Sequence, residues 1–161
     1  MNFKISKPFW QAVSLGAIAG LRSMSAPALA SHILSKHPSN GLSNSALSFM
    51  QSNKAALAFK LMALAEFAGD KMPSTPNRIE VPGLATRLLS GALAGACVYK
   101  AGGGKGYIGA ILGGSSAVLS TFGSFYLRKA TVKGTHIIDP IIGGIEDALV
   151  MGAGAGLAKV A

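Results

Sequence analysis

Gly16-Ala17-Ile18-Ala19-Gly20-Leu21-Arg22-Ser23-Met24-Ser25-Ala26-Pro27 is the stretch on which the architecture turns. It begins as a helix of very small apolar residues, with Gly16 and Gly20 on one face at 3.6 residues per turn. An arginine, two serines and a proline follow at once. Pro27 lacks an amide hydrogen and predicts a break or kink. The hydroxyls of Ser23 and Ser25 can satisfy backbone groups freed there, or a ligand. The surrounding apolar segment, 9–34, is long enough to cross ~30 Å of hydrocarbon. A charge exposed at that depth costs at least ~2.5–3.5 kcal/mol, so Arg22 must be paired or face water. The stretch therefore predicts a broken membrane helix with a cation at its break.

Composition supports a membrane reading of the whole chain. Only 13% of the 161 residues are charged, about half the usual share in a soluble domain. The 26 alanines and 21 glycines would bury little area in a soluble core, but they let helix backbones approach closely in lipid. The low polarity equally excludes a disordered chain. The net charge of +9 is spread singly among apolar runs and forms no nucleic-acid stripe. Membrane lipids, with anionic head groups for the basic residues, are the expected partners. The one cysteine, Cys97, rules out a disulfide framework, and no cofactor or metal is expected.

Working outward, 84–101, 106–127 and 137–158 each have the length and apolarity of a crossing. Residues 55–68 form a shorter segment carrying Lys60 and Glu66, read as either a short span or a re-entrant hairpin. The connection 36–53 is rich in Ser and Asn, with an interfacial helix expected near 42–50, and the three prolines of 69–83 exclude a regular helix there. The glycine-rich 102–106 is a tight turn. The expectation is an all-α membrane protein: one integral domain, 1–161, built as a compact bundle of four to five transmembrane helices with broken or re-entrant segments. A cleaved signal peptide ending near Ala28-Leu29-Ala30 is the rival reading of the first thirty residues, which Arg22 and Pro27 fit poorly. Counting basic residues over five spans from a cytoplasmic N-terminus places Lys4, Lys7, Lys71, Arg78, Arg128, Lys129 and Lys133 inside and Lys36, Lys54, Lys100, Lys105 and Lys159 outside, seven against five, a slight bias to an inside N-terminus.

Four-residue glycine pairs recur at Gly16/Gly20, Gly91/Gly95, Gly109/Gly113 and Gly152/Gly156. Each makes a groove for another backbone, within the monomer or in a homo-oligomer. The stretch 16–23 also lines up with 109–116, and an acidic pair follows each: Glu66 and Asp70, then Glu146 and Asp147. An inverted repeat of the kind found in transporters is one reading, and chance similarity in a biased composition the other.

The scarce charges collect at breaks and helix centres. Arg22, Ser23, Ser25, Glu66, Asp70, Asp139, Glu146 and Asp147 are expected to form an intramembrane polar or ligand site. Lys71 and Arg78 in the proline-rich connection are added as candidates for an anionic head group or phosphate. The competing reading is that these charges only pair with one another and hold the bundle.

Gly20-Leu21-Arg22-Ser23 with Pro27-Ala28, Glu66, Gly69-Asp70-Lys71, Pro73, Pro76 and Arg78, Arg87 with Gly91, and Glu146-Asp147-Ala148 together resemble the bacterial family of small membrane proteins catalogued as domain of unknown function 4126. The resemblance runs from Gly16 to Gly156. It implies a multipass protein of the bacterial cytoplasmic (inner) membrane and carries over no activity, substrate or catalytic residue.

Three function classes follow: a transporter, channel or lipid-handling protein using the polar site, an accessory protein packing with partner helices through its glycine faces, and an intramembrane enzyme. The first is the expectation. The enzyme reading lacks a nucleophile–base arrangement, and His32, His37 and His136 have no second ligand at useful spacing.

Overall fold

The computed structural model describes residues 7–69, 80–135, 148, 150, 152–154 and 156. Every element among them is helical: α1 (Pro8–Leu21), α2 (Ser25–Lys36), a short α3 (Asn40–Ser43), a 3₁₀ turn (Ala46–Gln51), α4 (Asn53–Gly69), α5 (Val81–Ala101) and α6 (Gly106–Thr135). Two of these, Val81–Ala101 and Gly106–Leu127 within α6, are long and apolar enough to cross a membrane, instead of the four to five expected. The 14 residues of α1 and 17 of α4 reach only about 21 and 25 Å at 1.5 Å per residue. The segment 137–158 falls mostly outside the described residues. Of that segment, Val150 is buried, and a side chain on Gly154 would meet the Leu29 methyls of α2.

Segment 9–34 does not cross as one helix. Pro8 opens α1 and packs against Gly102 at the end of α5. Past the reversal at 22–24, α2 returns to the same end, where the Ser39 hydroxyl donates to the Ala101 carbonyl at 2.8 Å. The two helices are a hairpin whose outer ends both lie beside the end of α5. Pro27 does not kink a helix; it occupies the first turn of α2, where a missing amide hydrogen costs nothing. The interfacial helix expected near 42–50 is instead split between α3 and the 3₁₀ turn, capped by the Ser39 and Ser45 hydroxyls.

Helices α1, α5 and α6 share a seam made of glycine. At Gly91 an added Cβ would lie 2.6 Å from the Gly113 carbonyl oxygen, and at Gly16 it would meet the same oxygen. Gly20 abuts the Ala117 carbonyl, while Gly95 and Gly109 face each other's carbonyls. Across this seam α6 donates hydroxyls to α1: Ser116 to Val13 O at 2.8 Å, Ser120 to Ala17 O at 2.9 Å, and Thr121 to Gly20 O at 3.2 Å. Close backbone approach is what makes these short side chains reach. The glycine faces of α1, α5 and α6 are thus filled within the monomer, which leaves no room on them for the partner helix or second copy considered above. At Gly152 and Gly156 no atom of the described residues lies within 4 Å of where a side chain would begin.

Contacts that climb together along both helices make α1 and α6 parallel. The similar stretches 16–23 and 109–116 therefore sit on helices that run in one direction, the opposite of an inverted relation. Between α5 and α6, Gly103 takes φ +88°, a left-handed conformation suited to a residue without Cβ.

The core reflects the composition. Leu15, Ile18 and Ala19 of α1 meet Ala26, Ala30 and Leu34 of α2, Ala94, Cys97 and Val98 of α5, and Ala117 of α6. Many large apolar side chains lie outside, with Leu89, Ile111 and Leu119 among the most exposed. Exposed Tyr107 and Tyr126 mark the two ends of the apolar face of α6, about 28 Å apart along the helix.

Candidate functional site

The reversal at 22–24 is held by a side chain distant in sequence. Helix α2 starts with Met24 as its N-cap, a residue with no side-chain acceptor, and no capping bond is made locally. The first amides of a helix need acceptors, and a carboxylate is the best of them. Glu66, near the C-terminal end of α4, supplies it. Its Oε1 accepts from Ser23 N at 2.8 Å and from the Ser23 hydroxyl at 2.6 Å, and its Oε2 accepts from Met24 N at 2.8 Å. Three donors on one carboxylate pin α4 to the hairpin tip.

Around the tip the polar groups are buried. Arg22 is 4% exposed and Ser23 and Ser25 are 7% exposed, and Ser25 N closes the turn onto the Arg22 carbonyl at 3.3 Å. Of the expected site residues, Ser23 and Glu66 are hydrogen-bonded to each other, and Arg22 and Ser25 flank Ser23 at the same reversal. Asp70, Lys71, Arg78, Asp139, Glu146 and Asp147 lie outside the described residues.

Arg87 is the residue absent from the expected set. It is buried at 6% exposure on α5 and donates through Nη1 to Gly83 O at 3.1 Å. Gly20 and Gly91 both pack on Ala117, so Arg22 and Arg87, each just beyond its glycine, stand at a similar depth. Its signal in the sequence is that of Arg22: a lone cation inside an apolar run. Gln11 is a second buried polar residue that sequence reasoning passed over. Its Nε2 has no hydrogen-bond partner among the described residues. No group of three or more His, Cys, Asp or Glu among the described residues is arranged to hold a metal.

Further from the tip, Lys60 on α4 reaches His32 on α2, with Nζ 3.0 Å from Nδ1. Burial first, then the charges of Lys60 and Lys36, push the His32 imidazole below its ordinary value of 6.5. The lysine then donates to a neutral ring. Because the unfolded chain takes up this proton more readily than the folded one, stability is retained above the ordinary value. It falls as pH drops from there towards the lowered native value. The wild-type melting temperature is expected to fall between pH 7.5 and 5.5, with a smaller fall in His32→Gln. An NMR titration placing the His32 midpoint above the ordinary value would contradict the arrangement.

What the arrangement can do chemically is bind. A carboxylate, a hydroxyl and two backbone amides meet where a helix is interrupted, with Arg22 buried at the same reversal and Arg87 buried on α5. No curated protein and no solved structure matches the chain. The family model for domain of unknown function 4126 matches residues 10–158, and the chain belongs to that family.

Proposed function

We propose that the chain is a small polytopic protein of the bacterial inner membrane that moves or handles a polar solute or lipid through an intramembrane site. In this reading α5 and α6 cross the bilayer. The α1–α2 hairpin enters from the side of the α5–α6 turn and reverses inside, setting Arg22, Ser23, Ser25 and Glu66 at membrane depth. The observation that carries the reading is the triple hydrogen bond of Glu66 to the hairpin tip. Re-entrant or broken helices with polar side chains at the break are how transporters and channels place binding groups within lipid. The outward-facing leucines and isoleucine of α5 and α6 support immersion in hydrocarbon, as does the spacing of Tyr107 and Tyr126.

Proteoliposomes provide the test. Flux of protons, potassium and inorganic phosphate, and flip of a fluorescent phospholipid, would be measured for wild type, Arg22→Gln and Glu66→Gln. At least one of these is expected to exceed empty vesicles and to drop roughly tenfold or more in both variants, the scale of losing a charge-assisted contact. Wild-type rates in both variants would remove the site from the mechanism. An accessory membrane role is the alternative reading; flux no greater than in empty vesicles would favour it.

A further inference from the structure

The hairpin changes which charges share a side of the molecule. Lys7 adjoins Pro8, which packs under Gly102. Lys36 ends α2, shortly before Ser39, whose hydroxyl donates to Ala101 O. Lys54 opens α4 just after Gln51, whose Oε1 accepts from Ser39 N at 2.6 Å. Lys100 and Lys105 flank the α5–α6 turn. Five lysines that a single crossing by 9–34 would divide between two leaflets are therefore gathered at one end. Lys7, Lys36, Lys54 and Lys105 are exposed and Lys100 is half-buried. Among the described residues that end holds no acid. The described acids are Glu66, at the hairpin tip, and Glu80, at the far end of α5. Exposed Phe9 and Trp10, stacked edge to face with centroids 5.3 Å apart, and exposed Tyr107 lie at the same level.

We infer that this end is a docking rim for the anionic head groups of one leaflet. The inference rests on the membrane reading above. Aromatic side chains at a helix end mark the head-group layer, and lysines within that layer meet phosphate and acidic head groups at short range. The basic rim is continuous with the apolar face below it, so the same phospholipid can place its chains on α6 and its head group among the lysines. A soluble nucleic acid or acidic protein has no use for the apolar half of this surface.

Trp10, the one tryptophan of the chain, stands at the rim and reports on it. The full-length protein would be reconstituted in phosphatidylcholine vesicles, and Trp10 quenching by brominated phosphatidylglycerol compared with that by brominated phosphatidylcholine. Preferential quenching by the anionic lipid is expected, weakened by high salt. The variant carrying Lys36→Gln, Lys54→Gln and Lys105→Gln should lose the preference, at up to roughly fivefold for each lysine. Lys129→Gln, towards the other end of α6, should leave it unchanged. Equal quenching by both lipids in wild type, or a preference that survives the triple substitution, overturns the rim and leaves the membrane reading standing. Absence of quenching by either lipid overturns the membrane reading itself.

Discussion

Gly113→Ala is expected to destabilise the protein more than any other single methyl added to the seam, and Gly113→Leu to prevent folding. Gly113 stands where three helices meet: its carbonyl oxygen is the nearest atom to an added Cβ on both Gly16 and Gly91. A Cβ on Gly113 itself would be driven into the Gly91 carbonyl, with the carbonyl carbon at 3.0 Å and the Gly95 Cα at 3.1 Å. These neighbours are backbone atoms and cannot rotate away. Either α5 moves off α6, or α6 shifts and loses its hydroxyl contacts to α1. Overpacking of this kind costs ~1–3 kcal/mol, and more where backbone must move. Gly123→Ala is the matched control on the same helix. Among the described residues no atom lies within 4 Å of the added methyl, so it gains only the helix preference of alanine over glycine, ~0.5–1 kcal/mol. Melting followed by size-exclusion chromatography in detergent should show the two substitutions moving in opposite directions. Equal stability of Gly113→Ala and wild type would mean that the three helices do not meet there.

Glu66→Ala should have the second largest effect, and one visible far from α4 in sequence. It removes the acceptor of two backbone amides and one hydroxyl at the start of α2. Helix capping is typically worth ~1 kcal/mol, and hydrogen bonds to a charged group ~1.5–3 kcal/mol each before coupling among them is considered. An overall loss of about 3 kcal/mol is expected, with the amides of Ser23 and Met24 exchanging hydrogen much faster. Glu66→Gln keeps one acceptor oxygen but turns an amide nitrogen towards the remaining donors, so a loss between wild type and alanine is expected. Unchanged exchange at 23–24 in Glu66→Ala would show that the hairpin tip is held by other groups. The two experiments separate the seam from the tip, because neither Gly113 nor its neighbours touch Glu66.

Much of the fold is legible along the chain. Segments 84–101 and 106–127 correspond to α5 and to the apolar part of α6, because a long apolar run beside a glycine turn has few other ways to satisfy its backbone. The glycine pairs mark seam faces since only close approach explains so many residues without side chains. Arg22, Ser23 and Glu66 stand out for a related reason: charge and hydroxyl within apolar sequence demand partners. Counting crossings fails at 9–34, because a length long enough for one span is equally long enough for two half-length helices. Hydropathy carries no direction and cannot register a reversal.

The amino-acid sequence alone determined the helical class, the two helices long and apolar enough to cross a membrane, the small-residue contacts and the need of Arg22 and Glu66 for polar company. These follow from local quantities: apolar length, four-residue spacing and the cost of a charge in an apolar run. Tertiary structure alone decided that α1 and α2 form a hairpin and that Glu66 caps it across 43 residues. It also decided that α1 runs parallel to α6, and that lysines expected on two sides share one. Each of these depends on which distant groups satisfy the amides freed at 22–24, a choice made by packing of whole helices and written in no single stretch of the chain.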